Sequence, residues 1–171
     1  MADDTADPAT ASEAMFDATG ADAPRIGVDA QYIKDLSFEN PVGPGSAAAI
    51  QNNPQVTVEV STSARTIAKD HYEVCLIIHG KAMQNESALF IIELTYGAVI
   101  SLANVPDEAV QPVLLIEGAR LLFPFARNIV ADVTRDGGFP PLFLQPIDFM
   151  QLFHEQHAQE GGSEDTSEAD S

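Results

Sequence analysis

The stretch Val56-Thr57-Val58-Glu59-Val60-Ser61 puts a branched apolar residue at every second position and a polar one between. That is the period of a strand with one buried and one wet face. Two longer runs downstream repeat it: Tyr72, Val74, Leu76 and Ile78 alternate with His71, Glu73, Cys75, Ile77 and His79, and Phe90, Ile92 and Leu94 alternate with Ile91, Glu93 and Thr95. Upstream, Tyr32, Leu36 and Phe38 stand against Ile33, Asp35, Ser37 and Glu39, with Lys34 breaking the apolar parity. Turn residues separate the later three runs at Ala68-Lys69-Asp70 and Gln84-Asn85-Glu86-Ser87, while Pro41 to Pro54, rich in Gly, Pro and Asn, makes a longer connection. The expectation is four antiparallel strands, the last three a meander.

Beyond Asn104 the period becomes that of a helix. Pro106-Asp107-Glu108 is a helix start, since proline suits the first turn and carboxylates complement its partial positive charge. Leu115, Ala119, Leu122, Ala126, Ile129 and Val133 follow at spacings of four, three, four, three and four, and Asp136-Gly137-Gly138 ends the run. This makes about 30 residues, or roughly 45 Å of helix, which Pro112 and especially Pro124 are expected to bend. Val113, Leu114, Ile116, Leu121, Phe123, Phe125 and Val130 lie off the stripe. A helix apolar on two sides needs two partners. One is its own sheet; with a single further helix in the chain, the second is expected to be another subunit. That further helix begins at Asp148, which forms a capping pattern with Gln151, and presents Phe149, Leu152 and Phe153. The loop between them, Phe139-Pro140-Pro141-Leu142-Phe143-Leu144-Gln145-Pro146, holds three prolines and four large apolar groups, unusual for a connector.

The 171 residues carry 26 Asp plus Glu against 8 Lys plus Arg, a formal charge of −18. Such a surface repels a duplex, which excludes a bare nucleic-acid binder. At 45% apolar and 20% charged, the chain still has the composition of a globular protein. Eleven of the acids sit in two ends without a base: Asp3, Asp4, Asp7, Glu13, Asp17 and Asp22 within 1–24, and Glu160, Glu164, Asp165, Glu168 and Asp170 within 158–171. Both ends are expected to be disordered tails, flanking one domain at 25–157 that is itself −7. With every apolar set turned inward, the opposite sheet face collects Asp35, Glu39, Glu59, Glu73 and Glu93, with Arg65 as the only base by parity. Such a face is most simply solvated, but Ile33, Ile77 and Ile91 among the acids suit docking better.

Chemistry finds little to stand on. Cys75 is the only cysteine, so no intrachain disulfide forms, and a passive thiol is expected. His154 and His157 have a spacing that can share a metal, but no Cys or carboxylate pattern completes a site. Phosphate loops, nucleophile elbows and paired acid/base motifs are missing, so neither an enzyme nor a cofactor is expected. Met1-Ala2-Asp3-Asp4 lacks the basic start of a secretory signal, and Ala88 to Val105 is interrupted by Glu93, Thr95, Tyr96 and Asn104, short of a span of roughly 20 apolar residues. The expected place is the cytoplasm, without membrane insertion.

Tyr32-Ile33-Lys34-Asp35-Leu36-Ser37-Phe38-Glu39-Asn40-Pro41 resembles the first strand of SecB, the bacterial protein-export chaperone family. Leu122-Phe123-Pro124-Phe125-Ala126-Arg127, then Gly138-Phe139-Pro140-Pro141-Leu142 and Pro146-Ile147-Asp148-Phe149, are similar to its long helix, connecting loop and second helix. The likeness runs from about residue 30 to about residue 157 in the same order; the acidic N-terminal extension is the departure. The resemblance implies an α+β protomer, with a four-stranded antiparallel Greek-key sheet and a long and a short C-terminal helix. It also implies a homotetramer, a dimer of dimers whose helices lie between sheets of different subunits, and so assigns Leu115, Leu122, Ala126 and Ile129 to the interface.

The function implied by the same resemblance is an ATP-independent holdase that keeps precursor proteins unfolded and hands them to the translocation ATPase SecA. The SecA contacts carry over to Asp35, Glu39, Ile91 and Glu93, and the client-binding groove to Val56, Val58, Val60, Leu142 and Phe143. The C-terminal segment, a second SecA contact in the family, is here rich in Ser and Glu. A different class remains open on the residues alone: an acidic adaptor that binds one folded partner through the sheet face.

Overall fold

Each alternating run forms a strand: β1 (Arg25–Glu39), β2 (Gln55–Ala68), β3 (His71–Gln84) and β4 (Ser87–Ala103). The computed structural model describes residue 20 and residues 22–49 and 53–162. The strands form one antiparallel sheet in the order β1-β4-β3-β2. Three consecutive strands thus make the meander and β1 lies beside the last of them, the Greek-key arrangement. The connection from β1 to β2 contains a 3-10 turn, Gly43–Gly45, and a one-turn helix α1 (Ser46–Ala49). Asn40 organises its start, accepting from the Gly43 amide at 2.8 Å and donating to the Gly137 carbonyl at 2.9 Å.

The long helix α2 (Asp107–Asp136) has 30 residues. Of the two prolines expected to bend it, Pro112 is followed by a π-helical turn at Val113–Gly118, whereas Pro124, expected to disturb the helix more, sits within the regular stretch Ala119–Asp136. At the C-terminus Gly138 adopts φ +90, and the amides of Gly137 and Phe139 bond back to the carbonyls of Val133 and Thr134. This is the left-handed stop that the paired glycines predict. By length and composition α2 could cross a membrane. Here Leu114, Ile116, Ala119, Leu122, Ala126 and Val130 pack on the sheet, in one core with Val74, Leu76, Ile78, Ile92, Leu94 and Ile100.

The second helix, α3 (Phe149–Gly162), starts where its cap predicts. Asp148 Oδ1 accepts from the amides of Met150 and Gln151 at 3.0 and 3.1 Å. The Gln151 side chain bonds Glu155 instead of completing the box. Helix α3 continues past residue 157, where the body was expected to end, to Gly162. The stretches 1–19 and 163–171, which hold most of both expected tails, lie outside the described residues.

Candidate functional site

The β2 valines and the connecting loop face each other across a groove of about 370 Å3, lined by Val56, Val58, Val60 and residues 142–147. Thr134, fully buried on α2, fixes the loop: its hydroxyl accepts from the Leu142 amide at 2.9 Å. Phe139 and Leu144 are buried on either side of that anchor. Prolines before and after Leu142 to Gln145 limit the backbone, so Phe143 is held outward and is 60% exposed. Val56 and Val58 are 45% and 38% exposed, so neither is core. The guanidinium carbon of Arg127 lies 5.9 Å from the Phe143 ring centroid, within cation–π range. All five residues expected to line a groove are therefore together. Such a surface can take apolar side chains from an extended chain but carries no group that would do chemistry on them.

The outer sheet face gathers a second patch. Asp35 pairs with Thr95, Ser37 with Glu93 and Glu39 with Ile91, which puts Asp35, Glu39, Ile91 and Glu93 on adjacent strands and one face. Glu59 lies further across, opposite His79, and His79 Nδ1 is 3.5 Å from Glu93 Oε1. Lys81, next after His79 in the same alternation and opposite Ile91, adds a second base to Arg65 on this face.

Two expectations about this face need correction, both because of one irregularity. The β1–β4 register slips between Ile33 and Asp35, leaving Lys34 as a bulge. The bulge reverses the faces on its N-terminal side, so Ile33 pairs with Tyr96 on the helix side and Tyr32 with Gly97 on the outer face, opposite to their expected places. There the Tyr32 hydroxyl donates to Glu73 Oε1 at 2.5 Å, and Lys34 Nζ and Arg65 Nε donate to Oε2 at 2.9 and 2.6 Å. Glu73 is thus a buried hub with two cationic partners, not one of the free acids of the face.

Its carboxyl is held down at about 2, first by the Tyr32 hydrogen bond and then by those of Lys34 and Arg65. The same bond pushes the Tyr32 phenol up to about 12. Beneath this cluster Cys75 is 5% exposed, and burial raises its thiol, which keeps it protonated and unreactive.

The helix residues assigned to an interface divide. Leu122 and Ala126 have no exposed surface and belong to the protomer's own core, which corrects the expectation that they meet another subunit. Leu115 is 8% exposed and Ile129 is half-buried against the same core. Leu114, Ile116 and Val130, which lay off the expected stripe, are core as well. What remains uncovered is Leu121 and Phe125, 41% and 49% exposed, with Phe125 stacked on Tyr96 at 6.4 Å. On β1, Ile26, Val28, Ile33 and Leu36 are each at least 36% exposed as well, an apolar set that strand alternation did not single out. A second slip, between Val28 and Ala30, leaves Asp29 as another bulge and restores the earlier faces, so by register these four share the sheet face that carries α2.

On α3, His157 Nδ1 is 3.0 Å from the Phe153 carbonyl and its ring lies 4.0 Å from that of Phe153. Among the described residues no three His, Cys, Asp or Glu side chains converge as a metal site would require.

Comparison with known proteins gives a consistent result. The family profile described as "SecB: Preprotein translocase subunit SecB" matches residues 19–160. The protein-export protein SecB of Nitrobacter hamburgensis is 48% identical over 136 residues, covering 80% of this chain and 86% of the relative. That of Azorhizobium caulinodans is 50% identical over 134 residues, covering 78% and 84%. Among solved structures, the SecB-like chaperone of Mycobacterium tuberculosis, in complex with a peptide from an antitoxin, superposes with a TM-score of 0.59 at 14% identity, over 72% of this chain and 91% of that one. At that identity the likeness speaks for the fold.

Proposed function

The chain belongs to the SecB family of protein-export chaperones, and from that premise we propose that it is an ATP-independent cytoplasmic holdase, which keeps precursor proteins unfolded and delivers them to SecA. One observation carries client holding: apolar residues of β2 that a compact domain would bury, Val56 and Val58, stand open beside an exposed Phe143 on a rigid loop. An unfolded chain offers apolar side chains and free backbone, and a groove of this kind retains both through many weak contacts. Neither catalytic residues nor a cofactor enter this function.

Delivery is assigned to the outer face, at Asp35, Glu39, Ile91 and Glu93. It lies across the sheet from the groove side, which leaves a client in place while SecA docks. The protomer is assigned to a homotetramer, a dimer of dimers. Support comes from the apolar surface of Leu121, Phe125 and the β1 residues, which nothing in the protomer covers.

The test is refolding of several unrelated denatured proteins with and without the chaperone. A holdase slows all of them near one tetramer per client; an adaptor for one folded partner slows none.

A further inference from the structure

The strand β2 is an outer strand of the sheet, and one of its residues already has a partner on the free side. The Thr62 amide donates to Gln156 Oε1 at 3.3 Å, and Gln156 Nε2 donates to the Thr62 carbonyl at 3.2 Å. The Thr62 hydroxyl donates to the same Oε1 at 3.0 Å. Both main-chain groups of Thr62 therefore point away from β3. In an antiparallel edge strand this orientation returns at every second residue, so those of Val56, Val58 and Val60 point the same way. Among the described residues, none of these three makes a main-chain bond to another segment. A side-chain amide is the chemical equivalent of a peptide group. At Thr62, Gln156 makes the reciprocal pair that one residue of an added strand would make.

We propose that the free edge of β2 from Gln55 to Ser61 pairs with the main chain of an extended client segment, and that Gln156 occupies the next position and ends the pairing at Thr62. This rests on client holding at the groove and states how the client is held there. In an added strand, every second side chain falls in row with Val56, Val58 and Val60 and enters the groove beneath Leu142 and Phe143. The intervening ones emerge beside Thr57 and Glu59 on the outer side. The segment that fits is apolar at alternate positions with Lys, Arg or Thr between. Main-chain pairing explains how one groove could serve clients without a shared sequence. Because Gln156 is carried by α3, the same contact joins the length of the usable edge to the docking of that helix.

The experiment uses the full chain and a nine-residue peptide alternating Val with Lys and Thr. A second peptide is N-methylated on the valines that would face the edge, and a third on the intervening residues. Methylation of either set keeps every side chain, so only edge pairing separates them. The expected result is affinity lowered about tenfold for one methylated set and changed less than twofold for the other. On binding, amide exchange slows at Val56, Val58 and Val60 but not at Thr62, and in Gln156→Leu the slowing extends to Thr62. Equal affinities for both methylated peptides, or unchanged exchange at the three valines, in a protein that still retards refolding would overturn strand addition alone. A protein that retards no refolding would overturn client holding and this inference with it.

Discussion

The ring of Tyr32 lies flat over Gly97: a β-carbon on that glycine would sit 2.8 Å from Tyr32 Cε2 and 3.1 Å from Cζ. Only glycine leaves room for the ring, and only the ring in that place carries its hydroxyl to Glu73. Gly97→Ala should therefore act like the loss of a hydrogen bond as well as a steric insertion. We expect it to cost about 1–3 kcal/mol, and Tyr32→Phe about 1–2 kcal/mol through the hydroxyl alone. Since both break the same contact, the double variant should lose less than the two losses added. Urea unfolding midpoints for the four proteins decide this, and strict additivity would refute the linkage.

The Glu73 cluster also sets a pH dependence. The folded carboxyl titrates at about 2 against an ordinary value of 4.5, so in between the unfolded state binds more protons. Its contribution is therefore present above about pH 5 and disappears as pH falls towards 2. Tyr32 works at the other end. Its folded value of about 12 lies above the ordinary 10.0, so its contribution is complete below pH 10 and disappears as pH rises towards 12. Glu73→Gln should flatten the acid limb of a stability profile, and Tyr32→Phe the alkaline one. A Glu73→Gln protein with the wild-type acid slope would contradict the assignment.

The relation between Tyr32 and Gly97 was also where strand alternation misled. Alternation places side chains correctly as long as each strand keeps its register, and β3 and most of β2 and β4 do, with slips at Ile67 of β2 and Leu89 of β4. A bulge is a property of pairing between strands, and the only local trace in β1 was Lys34 standing where an apolar residue was due. The residues after the bulge, Asp35, Leu36, Phe38 and Glu39, kept their expected faces; Tyr32 and Ile33 before it exchanged theirs. On α2 the stripe through Leu115, Leu122 and Ala126 identified buried positions but not what buries them, because a period of 3.6 is the same for a core and an interface. The π-helical turn widens the buried face further, bringing in Leu114 and Ile116 beside the stripe. The groove residues came from the family resemblance, because an alternating strand and a proline-bounded loop do not say which of their apolar side chains stay exposed; Gln156, a polar residue on the helix face that carries Phe149, Leu152 and Phe153, gave no signal.

The groove and the outer face should be separable by mutation. Phe143→Asp and Val58→Asp change exposed residues, so the fold should persist while retardation of client refolding falls at least several-fold. Asp35→Lys or Glu93→Lys should leave client holding intact and weaken SecA binding, and the wild-type SecA affinity should itself fall with salt. Titration of labelled SecA at two ionic strengths, beside a refolding assay, reads both properties. Equal loss of both in one variant that remains folded would mean that the two surfaces are not independent.

Leu121 and Leu122 are neighbours on α2 with opposite expected roles. Leu122 has no exposed surface, and a carboxylate there would be buried among Ile, Leu and Val side chains without a partner. Leu122→Asp should cost at least about 3 kcal/mol and leave little folded protein. Leu121 is 41% exposed and points to the uncovered surface with Phe125. A charge there meets water in the monomer and costs the protomer little, whereas in a tetramer it is buried at the contact. Leu121→Asp with Phe125→Asp should therefore remain folded by circular dichroism yet shift in solution mass from four copies towards the 18.3 kDa protomer. If that double variant keeps the full assembly, another surface joins the subunits; if Leu122→Asp folds normally, α2 does not pack on its own sheet as described.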